Sequence, residues 1–160
     1  MNIIYNIDQF KFHNLFFLDA KKNIIMDGKF TKIVYSDELI IMNGIYLITP
    51  FDDFYVENNL NKSILKLNMN SSINTNIINE LVKIERYVIE YYKHLFDCSK
   101  KPFALLKEQI LNGNIKLYKE YNNKQEKSCC CCKIIIKISG IWENEEQVGL
   151  TYKFMEVSEL

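Results

Sequence analysis

The sequence predicts a β-rich α+β domain, an OB-like antiparallel barrel carrying a helical insertion over residues 73–112 before a final hairpin. Three observations predict it. Both ends of the chain are rich in alternating or β-branched stretches. One internal segment changes to a period of three to four residues. The resulting order, β-β-β, α, β-β, is that of an OB-fold, which closes a small sheet to protect its edges. An α+β sandwich or a jelly-roll fragment would satisfy the same order.

Residues 9–18 (QFKFHNLFFL) are dense in aromatics and begin with alternation, so they read as a first strand. Residues 29–36 (KFTKIVYS) alternate through Phe30, Lys32 and Val34. Asp37 and Glu38 follow as a turn. Residues 39–49 (LIIMNGIYLIT) form an apolar run with Asn43-Gly44 inside it. Asn-Gly signals a hairpin, but the flanking run continues on both sides, so it reads here as a bulge. Pro50 ends this strand. Residues 54–56 and 64–69 read as short strands, with the polar residues 57–63 a loop between them.

Ile73, Ile77, Leu81, Ile84, Val88, Tyr91 and Leu95 fall on one helical face within residues 73–97. Asn74, Thr75 and Asn76 offer N-caps. Asn79, Lys83, Arg86 and Glu90 supply the polar face, and Lys93 and His94 suit the carboxyl end. A shorter helix is expected from Pro102 through Leu105, Leu106, Gln109 and Ile110 to Asn112-Gly113. Residues 114–121 (NIKLYKEY) alternate again, 122–128 form a polar loop, and 133–141 (KIIIKISGI) are β-branched. Residues 143–147 (ENEEQ) read as an acidic exposed turn, and 148–157 (VGLTYKFMEV) as the closing strand. No internal repeat or Gly/Ser linker divides the 160 residues, which have the length of one domain.

Twenty basic and twenty acidic residues leave a formal net charge of zero. No global field draws the chain to an anion, so an anionic partner needs a local patch. Ile, Asn, Lys and Tyr are abundant, and Arg86 is the sole arginine. This usage follows AT-rich codons and points to a source such as a large DNA virus or an AT-rich protist. The N-terminal ten residues carry Asp8 and no basic flank, unlike a signal peptide. No apolar run reaches the roughly 18 residues of a membrane span, so no membrane partner is expected. The expected location is the host cytoplasm or nucleus, or a virion.

Cys129, Cys130, Cys131 and Cys132 run consecutively, and neighbouring strand residues point to opposite faces. They read as thiols leading into a strand, and no metal or cofactor is expected. No nucleophile elbow, phosphate-binding loop or zinc-protease motif occurs. Asp52 and Asp53 are adjacent rather than convergent across a cleft, and His13, in a strand pattern, and His94, on a helix, read as structural or surface residues. No catalytic residue is assigned, and a non-enzymatic binding protein is expected.

Single strands are held by aromatic platforms for bases and by cations for phosphates. The strands offer Lys32 and Tyr35, then Lys116, Tyr118 and Lys119, then Trp142, then Tyr152 and Lys153. Alternation puts Lys116 and Tyr118 on one strand face, opposite Ile115 and Leu117. Tyrosine and lysine are also ordinary outward residues of strands in such a composition.

The C-terminal stretch KIIIKISGIWENEEQVGLTYKFMEV resembles the closing hairpin of OB-fold single-stranded DNA-binding proteins of phages and large DNA viruses. Gly140-Ile141-Trp142 and Val148-Gly149-Leu150 carry that resemblance. The segment DGKFTKIVYSDELIIMNGIYL resembles N-terminal regions of uncharacterised small proteins of giant DNA viruses. Together the two cover about a third of the chain. The resemblance implies single-stranded DNA binding in replication, recombination or repair. Phage proteins of this kind end in a long acidic tail, whereas this chain ends MEVSEL. The competing reading is a virion structural or protein-interaction component on the same scaffold. An exposed edge on the closing strand would also allow a homo-oligomer.

Overall fold

The computed structural model describes residues 3–59, 62–119 and 132–158. The strands are β1 (Tyr5–Asn6), β2 (Leu15–Phe17), β3 (Lys21–Lys22), β4 (Lys29–Ser36), β5 (Ile41–Asn43), β6 (Ile45–Thr49), β7 (Phe54–Asn59) and β8 (Lys62–Leu67). Helix α1 (Ser72–Leu95) follows, then β9 (Lys101–Phe103), α2 (Leu105–Leu111), β10 (Asn114–Lys119), β11 (Cys132–Glu143) and β12 (Gln147–Ser158).

These strands make one mixed sheet in the order β1-β6-β11-β12-β10-β8-β7. The antiparallel pair β11 and β12 forms its spine. One edge of β11 is shared end to end by β6 and β4. The switch falls at the bulge between Ile138 and Gly140. The far edge of β12 is shared by β9 and β10, both parallel to it.

A β-rich α+β fold is therefore present, but the expected closed barrel is not. Among the described residues the terminal strands β1 and β7 do not pair, and the sheet is not closed. The inserted helices do not cap a barrel end; they cover one face of the sheet. Ile77, Ile78, Leu81, Ile84, Val88 and Ile89 of α1 join one core with Ile45, Leu65, Ile115, Ile136 and Phe154 from the strands. Losing a fully buried member such as Leu81 to Ala would cost about 2–5 kcal/mol. A 24-residue helix covering the sheet makes closure unnecessary, because the apolar face is already out of water.

Local differences have identifiable causes. Of the strand expected over residues 9–18, Leu15–Phe17 forms as β2, while residues 7–9 and 12–14 form 3₁₀ turns. Phe10 and Phe12 stack edge to face at 4.8 Å, and the Lys11 N–H donates to Tyr35 Oη at 3.0 Å. Gly44, at φ +93°, breaks the apolar run into β5, paired with β4, and β6, paired with β11. A β-carbon there would stand 2.8 Å from the Ile138 carbonyl oxygen, so glycine is required at this corner. The polar residues expected to loop extend the β7–β8 ladder to Asn59 and Lys62.

Ser71, not Asn74, caps α1, accepting from the Asn74 N–H at 3.2 Å. Asn74 is instead fully buried and ties the helix start to residue 52, donating from Nδ2 to the Asp52 carbonyl at 2.6 Å. Pro102 lies in β9 rather than opening α2.

Candidate nucleic-acid interface

Residues opposite each other in neighbouring strands share a face, and the register assigns the sheet two of them. The inner face carries the core. The outer face begins on β6 with Tyr46 and Ile48, opposite Lys137 and Ile135 of β11. It continues across β12 with Lys153 and Met155, then to Tyr118 and Lys116 of β10. Beyond the bulge, Phe30 and Lys32 of β4 stand opposite Trp142 and Gly140. Tyr46, Ile135 and Met155 form a second small apolar cluster here, separate from the main core and without a helical member.

The charges on this face are unbalanced. Lys32, Lys66, Lys116, Lys137 and Lys153 all belong to it. Among the described strand residues that the register places here, the one carboxylate is Glu57, 3.4 Å from Lys66 Nζ. A chain of zero net charge therefore carries a basic sheet face, the local patch that an anionic partner requires. Aromatic rings lie among the cations. Lys116 Nζ sits 4.8 Å over the Tyr118 ring, and Lys137 Nζ 5.0 Å over the Tyr46 ring.

Five of the residues expected to bind converge on one cleft of about 230 Å³. Lys116, Tyr118, Trp142, Tyr152 and Lys153 line it, together with Leu105, Gln109 and Thr151. Trp142 is half-buried, with its indole over Gly149 and its ring centroid 6.0 Å from that of Phe103. Tyr118 is 44 % exposed, with the Lys116 ammonium over one face of its ring.

Tyr152 enters the cleft differently from the expectation. It belongs to the inner-face parity of β12, packs against Phe154 and donates from Oη to Gln109 Oε1 at 2.7 Å. Burial, with the Glu85 carboxylate nearby, pushes its phenol well above the ordinary value. It is a wall of the cleft held as a neutral donor, not a free stacking platform.

The remaining expected residues separate. Lys32 shares the outer face but lies across β11 from the cleft. Tyr35 is a correction: only 2 % exposed, it stacks on Phe10 in the core and cannot meet a base. Strand alternation explains this, since Tyr35 shares parity with the buried Thr31 and Ile33, not with Lys32. Lys119 is placed by its backbone alone, opposite Glu156 on β12.

Tyr121 and Cys129–131 lie outside the described residues. Two residues of this face and cleft are absent from the sequence reading. Lys137 is legible there, because Lys133, Ile135 and Lys137 alternate within KIIIKISGI. Gln109 is not, because only tertiary packing brings α2 beside β12.

The other polar groups serve the fold. Glu85 is buried on α1, and its carboxylate accepts from the Leu106 and Lys107 N–H groups at 2.8 and 2.9 Å. Ala104 has no side chain to cap α2, so Glu85 does so from a neighbouring helix. Burial raises its pKa, and the two N–H donors oppose that rise. Glu143, expected in an exposed turn, is the buried last residue of β11; Lys100 Nζ lies 3.4 Å from it and Cys98 Sγ donates to it. Asp52 and Asp53 bracket the start of α1 through Ser71 and Asn68. His13 and His94 are both exposed. No set of three His, Cys, Asp or Glu side chains is placed to hold a metal among the described residues, and no helix there is long and apolar enough to cross a membrane.

Compared with family models, curated proteins and solved structures, the chain matches none.

Proposed function

We propose that this protein binds single-stranded nucleic acid, without chemistry, on the outer face of its sheet. One observation carries the reading: Lys116, Tyr118, Trp142 and Lys153 line one cleft on a face where lysine far outnumbers carboxylate. Lysines supply phosphate neutralisation, and aromatic rings supply sequence-tolerant stacking. A duplex has its bases paired inside and offers no ring faces, so the aromatic residues favour a single strand. An OB-like barrel is not needed for this, since a sheet face can also present such a surface. A role in replication, recombination or repair in a large DNA virus fits a non-catalytic binder. The test is a mobility shift with oligo-dT against a duplex of equal length, with the single strand expected to bind tighter.

A second reading, a virion or protein-interaction component, is supported by exposed apolar side chains in the turns at opposite ends of β4. Ile24 and Ile25 at the β3–β4 turn are 100 % and 97 % exposed, and Leu39 is 92 % exposed at the β4–β5 turn. Replacing Ile24 and Ile25 with Ser separates the two. Oligo-dT binding should persist, whereas loss of self-association or of a protein partner would favour the second reading.

A further inference from the structure

The β12 edge has a gap. β9 follows it as far as Gly149, and β10 takes over only at Phe154. Residues 150–153 therefore meet no strand on that edge among the described residues. By strand alternation, every second residue there turns its N–H and C=O to the opening. The cleft sits at this gap, and residues 150–153 line it. Trp142 stands towards the β9 end, over Gly149, while Lys116 and Tyr118 stand towards the β10 end. Lys153 lies between them on β12, and Gln109 closes the inner side, with its Oε1 held by the Tyr152 hydroxyl.

At about 230 Å³ the cleft is smaller than the roughly 300–1,000 Å³ of a drug-sized ligand pocket and suits one flat ring system. Its chemistry is graded along its length: an indole, a backbone edge that meets no strand among the described residues, then two ammonium groups. A nucleotide presents the π-face of its base to the first, the donors and acceptors on the base rim to the second, and its phosphate to the third.

We propose that this gap is a base-binding slot, taking one unstacked nucleobase against Trp142 with the adjoining phosphate between Lys153 and Lys116. The proposal rests on the single-strand reading above and deepens it: the sheet face attracts the strand, and the slot engages a base. Missing strand pairing at the centre of an otherwise continuous sheet then has a use, because a base edge takes the place of a neighbouring strand.

Trp142 is the sole tryptophan of the chain, so its emission reports the slot directly. The experiment titrates the unmodified protein at low salt with oligo-dT, with an abasic deoxyribose-phosphate oligomer of the same length, and with thymidine monophosphate. Binding is read by anisotropy of dye-labelled oligomers, with the monophosphate as competitor, and occupancy by Trp142 emission. Oligo-dT is expected to quench Trp142 and to bind about tenfold tighter than the abasic oligomer, a difference of about 1.4 kcal/mol. Thymidine monophosphate should quench only at far higher concentration. Equal affinity of the two oligomers with unchanged emission would overturn the slot and leave the sheet-face reading standing. Tighter binding of the monophosphate than of the oligomer would overturn a strand site. No binding of either oligomer would overturn both readings.

Discussion

The Trp142 indole lies over Gly149 of the adjoining strand, with ring atoms 2.5–2.9 Å from where a β-carbon at 149 would stand. Glycine at 149 is therefore a condition for the indole's position, and the indole is a wall of the cleft. Gly149→Val should destabilise the protein by about 1–3 kcal/mol, as overpacking does. It should also move Trp142 and change its emission before unfolding. Urea unfolding followed by both fluorescence and circular dichroism checks this; unchanged stability and emission would mean the indole is not seated there.

Glu85 caps α2 from α1, and its removal has two readouts. Glu85→Ala leaves the buried Leu106 N–H and the part-buried Lys107 N–H without this acceptor and should cost about 1–3 kcal/mol. The second readout is pH. Burial raises the folded pKa above the ordinary 4.5, so the folded state holds this proton more tightly than the unfolded state. The contribution to stability is full below that ordinary value and is lost as pH rises towards the folded pKa. Glu85→Gln cannot titrate, so the stability difference between native and variant protein should shift against the native protein over that window. Denaturant melts at several pH values measure it.

Tyr35 separates core from interface. Tyr35→Ala removes a ring that is 2 % exposed and stacks with Phe10, and should cost about 3–5 kcal/mol. Affinity for oligo-dT, measured where the variant is still folded, should be unchanged. Weakened binding by a fully folded variant would restore Tyr35 to the interface.

The sequence made β4, α1, β11 and β12 legible to within one or two residues because each has a strong period. It also placed Lys116 and Tyr118 on one strand face, since parity within a strand is a local property, whereas the meeting of Trp142 and Lys153 with them is set by the register between strands. Nearness along the chain misplaced Tyr35 beside Lys32: the two are an odd number of residues apart, so alternation turns them to opposite faces. Sheet closure was not legible. Whether β1 meets β7 depends on twist and on what covers the inner face, and α1 covers it. The same holds for the gap in β12: the hand-over from β9 to β10 is set by where α2 packs, and Gln109 reaches Tyr152 only in the folded chain.

Lys116 and Lys153 should act through phosphates rather than bases. Replacing both with Gln should weaken single strands of different sequence by similar factors. It should also lower the salt slope by about 0.7 for each phosphate no longer neutralised. Both side chains stand on the outer face, one exposed and one half-buried, so stability should change by less than about 0.5 kcal/mol for each. Isotherms on two sequences at three salt concentrations check this, and a sequence-dependent loss would assign the lysines to base edges.

A single strand held on the basic sheet face must bind in a salt-dependent way. The affinity for fluorescein-labelled oligo-dT at about 50 and about 200 mM salt measures this. Neutralising four phosphates of a single strand gives a log–log slope of roughly −3, so binding should weaken about fiftyfold between those conditions. No binding at the lower salt with micromolar protein would remove nucleic acid as the partner of this face.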